Sequence, residues 1–176
     1  MSKRARVHVY TGDGKGKTTA ALGLAVRAAC AGLRVYFGQM MKGPGSSEQR
    51  LAELCPGLLL MEHFGTGRLL GPGEGPSEED RARAARGLSR LREAATSGEY
   101  DVVVGDEVCV AVYMGFLDEA DVLALIDERR PDVELVITGR NATARIMDAA
   151  DLVTEMREVR HYYATEGLEA RRGIEL

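Results

Sequence analysis

Two rhythms of apolar residues take turns along the chain. Val7, Val9 and Thr11 alternate with His8 and Tyr10 in β-prone types and predict a first strand, and residues 18–31 are rich in helix formers. Residues 34–41 (RVYFGQMM) predict a second, buried strand that ends at the loop of Lys42, Gly43, Pro44 and Gly45. Residues 47–54 predict a short helix and residues 58–62 (LLLME) a third strand. The stretch HFGTGRLLGPGEGPS then makes a long glycine-rich loop, of the kind that is either functional or mobile in a compact domain. Ser77 and Asp80 come close to a capping box, and the helix they open runs to about Ser97 with Ala82, Ala85, Leu88, Leu91 and Ala95 on one face. The apolar run of residues 101–105 (DVVVG) predicts a central strand that continues into Asp106 and Glu107. A helix starting near Asp118, a strand at residues 134–138, a short helix around residues 142–149 and a last strand at residues 152–156 complete the pattern. The tail RHYYATEGLEARRGIEL has no clear period and is expected to fold over the strand ends.

Strands that alternate with helices imply an α/β fold with a mostly parallel central sheet covered on both faces, built as one domain over residues 1–176. Ligands bind such sheets outside the carboxyl ends of the strands. Residues 12–19, 39–43, 63–70, 106–109 and 138–141 should converge there.

The first of these segments carries the clearest chemistry. Gly12, Asp13, Gly14, Lys15, Gly16, Lys17, Thr18 and Thr19 lie between a strand and a helix. Glycines there can turn several amide N–H groups inward at the positive end of the helix, where an anion belongs. In a phosphate-binding P-loop the lysine, here Lys17, reaches the β and γ phosphates and the hydroxyl of Thr18 ligates Mg²⁺. The strict pattern G-x-x-x-x-G-K-[ST] is missed once, because Thr11 stands at its first glycine. Two carboxylates after a buried strand, Asp106 and Glu107, fit the position that holds Mg²⁺ in such a domain; spacing leaves open which touches the ion, and Glu107 is favoured. Lys42 and Arg140 each follow a strand at the ligand edge, where fixed positive charge meets phosphate, although lysines and arginines also serve solubility there. His63 and His161 have no histidine or cysteine at ligand spacing and read as structural, and Cys109 reads as a small buried apolar residue. Tyr162 and Tyr163 fit either a stacking platform or an anchor for the tail.

Composition narrows the classes. At 176 residues and 45% hydrophobic content the chain suits one well-buried domain, and a net charge of −4 spread along it gives no electrostatic footprint of a nucleic-acid binder. Arg81, Arg83, Arg86, Arg90 and Arg92 share their helix with Glu78, Glu79, Asp80 and Glu93 and read as a solvated face. Three cysteines without a C-x-x-C pair fit a reducing compartment and no structural zinc. The basic N-terminus lacks the apolar run of a leader and no stretch approaches a membrane span, so a cytoplasmic protein is expected.

In order, YTGDGKGKTTAALGLAVRAA, QMMKG, YDVVVGDEV, YMGFLDEADVLALIDERRP, ELVITGR and ADLVTEMREVRHYY with a terminal RRGIE resemble the P-loop ATP:corrinoid adenosyltransferases over nearly the whole chain. The resemblance implies a three-layer, RecA-like P-loop NTPase fold. It also implies transfer of the 5′-deoxyadenosyl group of ATP to the cobalt(I) of a corrinoid with release of triphosphate, in adenosylcobalamin biosynthesis or salvage. A reductase that supplies the electron and a homodimer come with it. Cobalt(I) is itself the nucleophile, which agrees with the lack of a convincing protein nucleophile. The loop at residues 12–18 would cradle the triphosphate, and Arg27 stands at a family arginine that can contact the nucleotide. The family's G-x-G-F-T-W segment, whose aromatics pack under the corrinoid, reads Gly65, Thr66, Gly67, Arg68, Leu69, Leu70 here, and the chain has no tryptophan. The sequence starts six residues before the first strand, so an N-terminal extension over the corrinoid is expected to be absent, and the family's G-V-K-A reads Gly167, Leu168, Glu169, Ala170. These departures predict a weaker or differently covered corrinoid site. Two rival readings use the same loop: a phosphotransferase or ATPase attacking the γ phosphorus, and a non-catalytic nucleotide or corrinoid carrier.

Overall fold

The structure, a computed structural model, describes residues 5–43, 45, 47–67, 70–71 and 73–175. Along the chain come β1 (Val7–Thr11), α1 (Lys17–Cys30), β2 (Val35–Gln39), a 3-10 turn (Ser47–Arg50) running into α2 (Leu51–Leu54), and β3 (Leu59–His63). They are followed by α3 (Glu78–Ser97), β4 (Val102–Asp106), α4 (Val108–Tyr113), α5 (Glu119–Glu128), β5 (Glu134–Thr138), α6 (Ala144–Asp148), β6 (Leu152–Glu155) and α7 (Tyr162–Glu166). The six strands form one sheet in the order β3-β2-β4-β5-β1-β6, and every neighbouring pair is parallel.

Alternation within the strands sorts the core into two layers. Tyr36, Val103, Leu135 and Ile137 face the side where Leu88, Leu91 and Ala95 of α3 and Val122 and Leu125 of α5 are buried. Val35, Phe37, Val102, Val104 and Val136 face the opposite side, against Ala21, Ala25 and Ala28 of α1. Both faces are therefore covered, which is why β2 and β4 read as unbroken buried runs. β6 is the exception: it lies at the sheet edge and all of its residues are exposed.

The helix starts follow local chemistry. Ser77 caps α3 by accepting from the Asp80 N–H while the Asp80 side chain accepts from the Ser77 N–H, which completes the capping box. The buried stripe of α3 is Ala84, Leu88, Leu91 and Ala95; Ala82 and Ala85, expected on it, are exposed, because alanine is tolerated on the flank of a helix whose larger side chains set its rotation. α4 is not foreshadowed by any period. Its sequence VCVAVY is β-prone, yet Glu107 at φ 62° turns the chain out of β4, and burying Val108, Cys109 and Ala111 then overrides the local preference. His161 caps α7 by accepting from the Tyr163 N–H, a structural role as expected.

Candidate functional site

Between β1 and α1 the chain makes a glycine-rich turn. Gly12 at φ 92° and Gly16 at φ 125° take backbone conformations that side chains disfavour, and Gly16 opens α1 without any side-chain cap. The first amide N–H groups of α1 are thus left to an incoming anion. The Lys17 ammonium folds back and donates to the carbonyls of Gly12 at 2.6 Å and Gly14 at 2.7 Å. Burial first, and the charge of Arg140 second, pull it below the usual lysine range, against the opposing pull of Asp13, Glu107 and Asp106. A desolvated ammonium on its own loop carbonyls gains by meeting a polyanion. One loop amide is already committed: Gly14 N–H donates to the Met156 carbonyl at 2.7 Å. A Cβ on Gly14 would come 2.7 Å from that same carbonyl oxygen, so glycine is needed for this close approach.

Asp106 ends β4 at 1% exposure and is the best-held carboxylate here. Thr18 Oγ donates to its Oδ1 at 2.9 Å, Thr138 Oγ donates to Oδ1 at 2.7 Å, and Gln39 Nε2 donates to Oδ2 at 3.1 Å. The backbone N–H of Glu107 donates to Thr138 Oγ at 3.0 Å, which fixes the left-handed turn after β4. Burial, then the neighbouring Asp106, push the Glu107 carboxyl above its ordinary value, while Lys42, Arg140 and Lys17 act in the other direction. Glu107 therefore sits in the field of three cations, and Arg140, just past β5, acts on both Glu107 and Lys17.

On the other side of β4, Gln39 Nε2 also donates to Glu48 Oε1 at 3.2 Å, and Lys42 Nζ pairs with the same oxygen at 2.5 Å. The loops after β2 and β3 run backbone against backbone. A Cβ on Gly43 would meet Gly67 at 2.8 Å and one on Gly65 would meet Met41 at 2.3 Å, so glycine is required at both positions. Thr66 Oγ donates to Asp80 at 3.1 Å and ties this loop to the start of α3.

The structure thus brings Gly12, Asp13, Gly14, Lys15, Gly16, Lys17, Thr18 and Thr19 to one sheet edge with Asp106, Glu107 and Arg140, and sets Lys42 and the loop of Gly65, Thr66 and Gly67 beside them. Arg27 is not part of this cluster. It lies exposed in the last turn of α1, about 15 Å along the axis from Lys17 at the usual rise per residue, with its charge felt at Tyr10. Arg68 and Leu69 lie outside the described residues. Cys109 is fully buried and its thiol is pushed up to about 12 by desolvation, an inert packing group. Sequence reasoning missed Glu48 and the parts played by Gln39 and Thr138; a polar residue closing an otherwise apolar strand was the available signal.

The tail reaches the same loop. Lys15 Nζ donates to Glu175 at 2.7 Å and to the Tyr162 hydroxyl at 3.1 Å, while Tyr162 bonds Glu175 and Arg171 lies 5.1 Å from the Tyr162 ring. Tyr162 is the anchor of the tail.

Several known proteins are similar to this chain. The family model described as ATP:corrinoid adenosyltransferase BtuR/CobO/CobP matches residues 3–176. A corrinoid adenosyltransferase of Sinorhizobium sp. is 31% identical over 98% of this chain and 81% of its own length, and one of Escherichia coli K12 is 32% identical over 99% and 87%. An uncharacterised Nostoc protein, all2391, is 35% identical over 97% of this chain, which spans only about half of that relative, 48%. Among solved structures, the flagellar accessory protein FlaH of Methanocaldococcus jannaschii superposes with a TM-score of 0.60 at 12% identity, over 86% of this chain and 71% of FlaH. The fold is the three-layer, RecA-like P-loop NTPase fold, here with a wholly parallel sheet. With a phosphate-binding loop, a strand-end carboxylate bonded to its threonine and a family match over nearly its full length, the chain belongs to the ATP:corrinoid adenosyltransferase family BtuR/CobO/CobP.

Proposed function

We propose that this chain, acting as a single domain, transfers the 5′-deoxyadenosyl group of ATP to the cobalt(I) of a corrinoid and releases triphosphate. The observation that carries the reading is the bond from Thr18 to Asp106 beside a Lys17 that, among the described residues, is held by the carbonyls of its own loop, in a chain of this family. Lys17 would exchange those carbonyls for the triphosphate. The amides at the start of α1 would take the remaining charge, so that the leaving group is stabilised as the C5′–O bond breaks.

Thr18, Asp106 and Glu107 offer hard oxygen donors, which suit Mg²⁺. Among the described residues no group of three or more His, Cys, Asp or Glu side chains could hold a metal, so an ion here would rely on the nucleotide's phosphates and water for its other ligands. When bound, Mg²⁺ would neutralise charge on the triphosphate. Asp106 would accept from the Thr18 hydroxyl or release it to the ion, and Glu107 would face it from the turn. Lys42, Arg140 and the loop of Gly65, Thr66 and Gly67, with Arg68, would line the side on which the corrinoid presents its cobalt to C5′. Arg27 stays a nucleotide contact of lower standing, since it lies away from the loop.

The reading includes a reductase that supplies the electron, a homodimer and a cytoplasmic setting. Cys30, Cys55 and Cys109 are all free, in keeping with a reducing compartment. Among the described residues no helix is long and apolar enough to cross a membrane.

The test is anaerobic: protein and MgATP are added to chemically reduced cobalt(I) corrinoid, the cobalt(I) absorbance is followed and the phosphate product identified. Loss of the absorbance with a light-sensitive cobalt–carbon bond and triphosphate is expected. ADP with an untouched corrinoid would move the chain to the phosphotransferase reading, and no turnover of either kind would make it a binding module.

A further inference from the structure

Gln39 closes β2, whose remaining residues Val35, Tyr36, Phe37 and Gly38 are all buried, and Gln39 itself is 0% exposed. Its single amide nitrogen serves two carboxylates, Asp106 at 3.1 Å and Glu48 at 3.2 Å. Ionised carboxylates only accept, so the nitrogen must lie between them and the amide has one possible orientation. The amide oxygen is left buried with no partner among the described residues. An acceptor buried without a partner is destabilising, and an apolar side chain would avoid that cost in this strand. Packing alone gives no reason for a glutamine here.

Backbone pairing sets the placement. Gln39 lies opposite Asp106 of β4 and His63 of β3, and the Met40 N–H donates to the Asp106 carbonyl at 3.0 Å. The residue is therefore held in register with the carboxylate it bonds. Beyond Glu48 the path continues to Lys42, in the loop that packs against Gly65 and Gly67.

We propose that Gln39 is a positioning residue for Asp106. Its amide pins Oδ2, Thr138 pins Oδ1, and Glu48, itself held by Lys42, keeps the amide from swinging away. The carboxylate is then presented to Thr18 and to a nucleotide-bound divalent cation in one orientation. Gln39 touches neither phosphate nor cobalt; it acts through Asp106. The inference rests on the proposed function only in taking the cation to be bound with a nucleotide at Thr18 and Asp106.

The experiment compares wild type, Gln39→Met and Glu48→Ala, with Mn²⁺ as the probe cation, titrated by electron paramagnetic resonance in the presence of ATP. ATP binding in EDTA is measured alongside. Removing a partner that orients a metal-facing carboxylate typically costs about 10–100-fold in metal affinity, and that loss is expected for Gln39→Met. Metal-free ATP binding should stay at the wild-type value. Glu48→Ala should lose Mn²⁺ affinity in the same direction by less, and in turnover both variants should need more metal for half-maximal rate while saturating metal restores kcat. Unchanged Mn²⁺ affinity in Gln39→Met would overturn the proposal, as would a metal-free ATP affinity that falls in step, because that is general damage to the site. Should Gln39→Met not fold, the partly exposed Glu48 decides alone, and an unchanged Mn²⁺ affinity in Glu48→Ala overturns the inference. A wild type that makes no adenosylcorrinoid, yet binds Mn²⁺ with ATP and loses it in the variants, would sink the proposed activity and support this inference. Adenosyl transfer with Mn²⁺ affinity unmoved by either substitution would sink the inference alone.

Discussion

Asp106 and Lys17 answer burial differently. Asp106 is covered but meets three donors from three elements, while Lys17 is partly desolvated and, among the described residues, meets the carbonyls of its own loop. A cation in that state is poised for a polyanion, so Lys17→Ala should lower kcat about 10²–10³-fold, the usual cost of removing one group that stabilises developing charge. Cobalt(I) decay under saturating MgATP checks this, and full activity in the variant would refute the phosphate-site assignment. Glu107 yields a pH prediction. Its folded-state pKa is raised above the ordinary 4.5, so the stability it contributes is present below 4.5 and lost as pH rises through the folded value. Glu107→Gln removes that loss, so the variant should melt higher than wild type at neutral pH, and the gap should close as pH falls below 4.5. Thermal melts across that range, without nucleotide or metal, read it directly.

At the scale of elements, α3 shows how local chemistry and packing divide the work. The Ser77 and Asp80 box fixes where the helix starts, and Ala84, Leu88, Leu91 and Ala95 fix which side meets the sheet. Ser77→Ala should cost about 0.5–2 kcal/mol, or roughly 2–4 °C in Tm for each kcal/mol in a chain of this size. A melt unchanged from wild type would mean that packing alone holds the helix start. The start of α3 was legible because serine, two glutamates and an aspartate precede a helical period. Its rotation was not, since Ala82 and Ala85 satisfy the period as well as Ala84 does and only the facing sheet separates them. α4 was illegible for the opposite reason: a β-prone string became helical because Glu107 turns the chain and the core beyond has room for Val108 and Cys109.

Across the whole molecule, the last twenty or so residues return to the first loop. Lys15 and Glu175 pair at 2.7 Å across nearly the full length of the chain, and Met156 accepts from Gly14 close by. Charge and backbone hold this closure in different ways. Lys15 is exposed while Glu175 is only partly so, and salt reaches the pair from the lysine side, where the Debye length is only about 3 Å near 1 M. Glu175→Gln should therefore lower the melting temperature slightly at low ionic strength, and the difference should vanish near about 1 M salt. A difference that persisted at high salt would place the pair in a less accessible setting.

Much of this arrangement can be read from residue order alone, because its causes are local. Strand, glycine loop and helix follow one another from Val7 to Cys30, apolar runs mark the buried parallel strands, and Lys17 and Thr18 stand at fixed places in the loop. Backbone hydrogen bonding and side-chain period act over a few residues, so they leave their trace in the sequence. The choice between Asp106 and Glu107 as the carboxylate bonded to Thr18 does not arise locally. It follows from which side of β4 meets Thr138 of β5 and Gln39 of β2, residues more than thirty positions away in either direction. The same holds for Glu48 behind Gln39 and for Glu175 on Lys15, whose partners are set by strand order and by the path of the tail. Neighbours that meet only when the sheet assembles carry no short-range signature, and the geometry of the site is made of such meetings.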